Sequence, residues 1–215
     1  MSEPNLYDTR KNRLSSSLNL FTRLHLLMSM MFNLKRTGGA DGCLTDYDRL
    51  VARVDGMVHR IRHKYDAHIA CHKGCACGCR NLSLMPIEAL ALSGAVQDLS
   101  EGLKVKILKH ASNASFWDCP LLEEGACSLY AFRPIICRTH GYPLLTYYQG
   151  KPSIGYCRHN FKNIPSIPAD AVIDLEKINS ALRVINASAG AEAFHRPQLP
   201  DRLSISEAIL LGGHF

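Results

Sequence analysis

Residues 71–79 read Cys-His-Lys-Gly-Cys-Ala-Cys-Gly-Cys and place four thiols within nine residues. On a helix these side chains would point all around the axis, and the two glycines disfavour a helix. A loop wrapped around a metal explains the spacing, because glycines let the backbone turn tightly and thiolates bind zinc and iron. The stretch predicts a metal-binding loop with the ligands Cys71, Cys75, Cys77 and Cys79.

Further cysteines follow downstream: Cys119, Cys127, Cys137 and Cys157. Structural zinc sites usually combine ligands from two distant segments, so we expect this second set to meet the first. Eight thiolates are twice what one tetrahedral ion needs. Two sites, or an iron–sulfur cluster with a zinc ion, fit this number, and the spacing does not choose between zinc and iron. Cys157 has a second interpretation, as a small buried hydrophobic residue.

The N-terminus bears on the alternative that these cysteines form disulfides. A basic start and an apolar stretch over 18–32 superficially resemble a secretion signal, but Arg23 and His25 interrupt the stretch. No small-x-small cleavage motif follows it. We therefore expect a cytoplasmic protein whose thiols are reduced or bound to metal.

Composition and charge exclude some partners. The chain has 215 residues and a net charge of +6, and its mean hydropathy of -0.06 argues against a membrane-spanning protein. Residues 1–80 carry thirteen Lys and Arg against seven Asp and Glu, whereas the remainder is balanced at twelve against twelve. No basic patch interleaved with aromatic residues accompanies the charge, so a solvated helix face and a basic tail explain it better than nucleic-acid binding.

Hydrophobic periodicity and turn residues predict a mostly α fold of small α+β type. Helices surround an irregular, cysteine-rich middle that contains one short β-hairpin. We predict helices over 45–70, from Pro86, over 101–111 and over 169–187, a final short helix capped by Ser204 and Glu207, and hairpin strands over 144–148 and 153–156.

Three regions follow from these elements. Residues 1–44 are predicted to be an N-terminal extension, 45–190 the cysteine-cluster domain, and 191–215 a tail with a short helix. Two interpretations of residues 1–44 remain open. They form either an amphipathic helix that packs on the domain, or a flexible extension that begins at a start codon upstream of the true one.

Four residues near the cysteines are candidates for contacts around the metal: Tyr130, Arg133, Arg138 and His140. Four thiolates on one divalent ion leave a net negative charge, which guanidinium groups would offset. Ordinary salt bridging explains the arginines equally well. His140 is expected beside the metal rather than as a ligand, because the thiols already suffice.

Several of these motifs together resemble the YkgJ-like cysteine-cluster family, a group of domains to which zinc or iron chelation is ascribed. The matching motifs are Cys71-x-x-Gly74-Cys75, Cys79-Arg80, Glu88-Ala89, Cys119-Pro120-Leu121-Leu122, Gly125-Ala126-Cys127-Ser128-Leu129-Tyr130 and Arg133-Pro134-x-x-Cys137-Arg138. The family usually has two adjacent cysteines where this chain has Cys75-Ala76-Cys77. The resemblance covers residues 65–160 and implies metal binding without a defined reaction.

Three functions follow, in decreasing order of support. The first is a metal-binding protein that holds zinc or an iron–sulfur cluster, with a protein partner allowed. The second is a metal- or cluster-dependent protein-modifying enzyme, because a flagellin lysine methylase has a related cysteine cluster. That enzyme would need either an open coordination position on the metal or a substrate groove lined by Tyr130, His140 and Tyr142. Nucleic-acid binding is the weakest of the three.

Overall fold

The computed structural model describes residues 41–72, 74–193 and 200–211. Its helices are α1 (Asp41–Lys64), α2 (Pro86–Gln97), α3 (Glu101–Asn113), α4 (Ile135–Thr139), α5 (Leu175–Ala193) and α6 (Ile205–Leu211). Its strands are β1 (Ser83–Leu84), β2 (Leu122–Glu123), β3 (Ala126–Cys127), β4 (Leu144–Tyr148), β5 (Lys151–Gly155), β6 (Ile173–Asp174) and β7 (Leu203–Ser204). The predicted fold class, mostly α with small sheets, is confirmed.

Helix α1 leads the chain towards the cysteine loop, but its predicted ends were wrong. It begins at Asp41 instead of Thr45 and ends at Lys64 instead of near Ala70. The chain then makes a 3₁₀ turn over Asp66–His68. The amide of Ala70 donates to Asn160 Oδ1 over 2.9 Å, and the amide of Phe161 donates to the carbonyl of His68 over 2.7 Å. These hydrogen bonds to residues 160–161 hold the chain in a non-helical conformation just before Cys71.

The main hydrophobic core lies between α2, α3 and α6. Leu92, Val96, Ile107 and Ile209 are almost fully buried there. The starts of α2 at Pro86 and of α3 at Glu101 are confirmed, because the periodicity and the cap positions of these helices are local signals. Short antiparallel pairing of β1 with β7 brings the chain end back beside α2.

The cap of the last helix is also confirmed. The Ser204 amide donates to Glu207 Oε2 over 2.7 Å, and the Glu207 amide donates to Ser204 Oγ over 3.2 Å. This is the reciprocal arrangement of a capping box.

A three-stranded sheet lies on the other side of the cysteine-rich middle. Strands β4 and β5 form the predicted hairpin, with Leu144 opposite Gly155 and Tyr148 opposite Lys151. Strand β6 adds to β4 in parallel, and the amide of Ile173 donates to the carbonyl of Pro143 over 2.8 Å. The predicted helix start at Ala169 was therefore wrong, because sheet pairing holds Ile173 extended and α5 begins at Leu175.

The predictions for residues 1–40 lie outside the described residues. Residues 41–44, predicted as part of the extension, belong to α1, and Leu44 is buried. In the part of the chain that the structure describes, no helix is both long and apolar enough to cross a bilayer.

Candidate metal centre

Four of the predicted ligands come together at the start of the cysteine loop and after the hairpin. We call Cys71, Cys75, Cys77 and Cys157 the outer thiol group. The Sγ atoms of Cys75 and Cys77 are 3.4 Å apart. Tetrahedral zinc with bonds of about 2.3 Å separates its sulfur ligands by about 3.8 Å, so this pair is already close to the ligating distance.

Gly141 brings Cys71 and Cys157 together. Its φ of 88° lies in the left-handed region, and a Cβ at this position would lie 3.0 Å from Cys71 Sγ and 3.6 Å from Cys157 Cβ. Its carbonyl accepts the amide of Cys157 over 3.2 Å. Only glycine combines this backbone conformation with so close an approach of the thiol.

The side-chain amide of Asn160 also contacts the Cys71 thiol. It is buried, and its Nδ2 donates to Cys71 Sγ over 3.3 Å and to the Gly141 carbonyl over 2.8 Å. Burial raises the pKa of the Cys71 thiol, and the charges of Cys157 and Cys75 raise it further, whereas the Asn160 hydrogen bond opposes the rise. Asn160 thus favours the thiolate form, the form that binds metal.

The other four predicted ligands lie on the side of the cysteine loop that faces the hydrophobic core. We call Cys79, Cys119, Cys127 and Cys137 the inner thiol group. The β2–β3 hairpin pairs Leu122 with Cys127, and the carbonyl of Cys119 accepts the amide of Leu122 over 3.0 Å. Cys137 lies on α4. The last three of these cysteines pack against the core cluster between α2, α3 and α6.

Burial has the largest effect on the pKa values of the inner thiol group. It raises the pKa of Cys119 to about 11 and that of Cys137 to about 12. Burial also raises the pKa of Cys79 and Cys127. The charge of Arg133 opposes the rise at Cys79, Cys127 and Cys137, so this guanidinium favours their thiolate forms.

Backbone hydrogen bonding opposes the rise in pKa at two of the inner thiols. Leu121 and Leu122 lower the pKa of Cys119 in this way, and Leu129 lowers that of Cys127. Amides of following residues that donate to sulfur stabilise a ligating thiolate and tune the metal it holds. The donor set of the inner thiol group therefore fits a metal ion or a cluster.

The two groups adjoin at Gly78 and Cys79. The charge of Cys75 contributes to the raised pKa of Cys79, after burial. A Cβ at Gly78 would lie 1.6 Å from Nε2 of His140, so the imidazole ring lies directly over this glycine. Burial and the charge of Arg80 lower the pKa of His140. His140 is thus placed beside the cysteine loop, as the sequence predicts.

The two predicted arginines have different roles. Arg133 lies over the ring of Tyr130, with Cζ 3.5 Å from the ring centroid, and its buried Nε has no hydrogen-bond partner in the described part of the chain. Arg138 is instead a structural anchor. Its guanidinium donates to Asp55 Oδ2 and to the carbonyls of Arg133 and Ala131, each over 2.6 Å.

The sulfurs do not already form a closed cage. Over residues 41–72, 74–193 and 200–211, no three His, Cys, Asp or Glu side chains converge at metal-ligating distances. The cysteines form one close pair within two looser groups. Binding of an ion would have to draw these sulfurs together, as is usual where metal binding and folding are coupled.

The residues that were predicted to line a substrate groove do not line the cleft in the described part of the chain. Tyr142 is buried, whereas Tyr130 is exposed. A cleft of about 290 Å³ lies elsewhere, between α1 and the chain before β6, where Arg60, Lys64, Tyr65 and Asp170 line it. The residues expected to line a groove therefore do not form this cleft.

Sequence reasoning missed Asn160 and Gly141, and it named Glu88 only as part of the family motif, without its structural role. The buried Glu88 carboxylate accepts the amides of Met85 and Ile135, which joins the start of α2 to the start of α4. Asn160 follows Cys157 by three residues, and this spacing was the one available signal for it.

Comparisons of the chain with protein-family models, with curated proteins and with solved structures found no match.

Proposed function

We propose that this chain is a cytoplasmic metal-binding protein, similar to the YkgJ-like family, whose cysteines hold zinc or an iron–sulfur cluster. One observation carries the proposal. The eight cysteines of residues 71–157 lie in two loose groups. Cys71 Sγ accepts an N–H hydrogen bond from Asn160, and backbone hydrogen bonds lower the pKa of Cys119 and Cys127. Reduced thiols that serve only as small hydrophobic residues have no need of such donors.

Metal ligation would also supply stability where regular structure is sparse. Between α3 and β4 the chain has two strands of two residues, a 3₁₀ turn and the short helix α4. A structural zinc ion contributes roughly 10–16 kcal/mol of apparent binding free energy in small zinc domains. Such a contribution would be enough to fix this irregular segment on the core.

The first test is the metal content and visible absorption of protein purified without oxygen. Iron and labile sulfide with a brown chromophore would identify a cluster and bring redox chemistry forward. A colourless protein with zinc would identify a structural or zinc-handling role. Protein that binds neither metal, as purified or after reconstitution with Zn²⁺ or with iron and sulfide, would contradict the proposal.

Cysteine variants provide the matched controls. We expect Cys75→Ser and Cys127→Ser to lower the metal content, because each removes a thiolate from one of the two groups. Cys43→Ser is the control, since Cys43 lies on α1 outside both groups. Equal metal content in all three variants would contradict the assignment of the ligands.

A further inference from the structure

The two thiol groups differ in their exposure to solvent. In the described part of the chain, Cys75 and Cys77 of the outer thiol group are exposed, and Cys71 and Cys157 are half-buried. An incoming ligand in solution can reach this pair without movement of the core. Exchange of a bound ion at such a site needs only the approach of a competing ligand.

All four members of the inner thiol group are half-buried, and three of them pack against the core. Cys119, Cys127 and Cys137 contact the same hydrophobic cluster, which α2, α3 and α6 build. Leu121 and Leu129, which follow Cys119 and Cys127 by two residues, are themselves buried members of that cluster. A competing ligand has less access to an ion here than at the exposed pair, and full access requires local opening of the core, which is costly.

We propose that the chain has two separate metal sites of unequal lability. The outer thiol group exchanges its ion with ligands in solution, and the inner thiol group retains its ion as part of the fold. This inference rests on the proposed function and assigns a role to each site. The outer site acquires and releases soft or borderline divalent cations, for which an exposed pair of thiolates is a suitable entry point.

The test is a chelator challenge of the full-length chain. The protein is stripped of metal, reloaded with Zn²⁺ under reducing conditions, and mixed with an excess of a chromophoric zinc chelator. We expect two zinc ions per chain to leave in two phases, the second about 100-fold slower than the first, because the second requires local opening.

Two double variants assign the phases. Cys75→Ser with Cys77→Ser should remove one zinc ion and the fast phase, and leave the slow phase at the wild-type rate. Cys119→Ser with Cys127→Ser should remove the slow phase and lower the melting temperature. The first pair alone decides the question if the second pair does not fold, because its serines lie on an exposed loop.

The outcomes separate the two proposals. One zinc ion per chain, a single phase of release, or loss of both ions in the Cys75→Ser, Cys77→Ser protein would overturn the two-site inference while metal binding stands. A wild-type chain that binds no metal at all would overturn the proposed function, and this inference with it.

Discussion

Asn160 connects three backbone segments around one thiol. Its Oδ1 accepts the amide of Ala70, and its Nδ2 donates to Cys71 Sγ and to the Gly141 carbonyl. The side chain is only 1% exposed. Without this amide the Ala70 N–H would lose its acceptor, whereas the Gly141 carbonyl would keep the Cys157 amide as a donor. A buried polar group left unsatisfied costs about 1–3 kcal/mol.

We therefore expect Asn160→Ala to lower the free energy of unfolding by about 1–3 kcal/mol, because the Ala70 amide loses its acceptor and the Gly141 carbonyl loses one of its two donors. It should also weaken metal retention at the outer thiol group. Urea denaturation and the chelator challenge measure the two effects. Asn113→Ala is the control, since Asn113 is exposed and donates only to the Lys109 carbonyl of its own helix. Equal effects of the two variants would contradict the role given to Asn160.

Gly141 and Gly150 separate backbone strain from contact with the thiol. Their φ values are 88° and 75°, so alanine costs roughly 1 kcal/mol of strain at either position. Only at Gly141 would the new Cβ meet Cys71 Sγ, at 3.0 Å, whereas nothing lies within 4 Å at Gly150. We expect both variants to melt at lower temperature and only Gly141→Ala to lose metal from the outer thiol group. Normal zinc content in Gly141→Ala would show that Cys71 can move without loss of ligation.

The spacing of the cysteines predicted the candidate ligands, but not how they divide. Cys77 and Cys79 are two residues apart in sequence, yet they belong to different groups, because the turn at Gly78 separates them beneath His140. The role of Asn160 in the site was not predicted either. Its partners come from residues 70–71 and 141, and no local pattern in the sequence records contacts over such separations.

At the scale of elements, Arg138 joins α4 to α1. Its side chain is nearly buried and pairs with Asp55, and two of its nitrogens bind carbonyls of the preceding loop. The planar guanidinium satisfies all three acceptors at once, which an ammonium group cannot do in the same geometry. The thiol of α4, Cys137, therefore owes part of its position to a contact with α1.

We expect Arg138→Ala to destabilise the protein by about 1–3 kcal/mol, because it leaves two carbonyls without their donor and the partly exposed Asp55 carboxylate without its charged partner. Arg138→Lys should recover only part of this loss. Thermal or urea unfolding measures both changes. Arg49→Ala is the control, since the pair of Arg49 with Asp46 is exposed and should contribute less than about 1 kcal/mol. A loss at Arg138 no greater than that at Arg49 would contradict the anchoring role.

The elements that could be predicted are those with local signals. The starts of α2 and α3, the hairpin and the capping box of α6 all depend on neighbouring residues. The ends of α1 and the start of α5 could not be predicted, because partners distant in sequence decide them. Hydrogen bonds with Asn160 and Phe161 fix the chain after α1 outside the helix. Pairing of β6 with β4 keeps the chain extended until α5 begins.

At the scale of the whole molecule, the fold is arranged around thiols that are protonated when no metal is bound. A free cysteine has a pKa of about 8.5, and burial raises the pKa of Cys119 to about 11 and of Cys137 to about 12. At neutral pH these thiols carry protons, which an ion must displace before it can bind. Metal affinity should therefore fall as the pH falls and rise as the pH rises towards these pKa values.

Zinc binding should release protons in proportion to the thiols that ligate it. With four thiols at each site we expect about four protons per zinc ion at pH 7.5. Calorimetric titration of the metal-free chain in two buffers of different ionisation enthalpy measures this number. The Cys75→Ser, Cys77→Ser protein should bind one zinc ion and release about half of the wild-type total, because only the inner thiol group remains complete. Release of fewer than about two protons per zinc ion would mean that histidine, carboxylate or water oxygen replaces thiolate in the coordination sphere, since those ligands are already deprotonated or need not be.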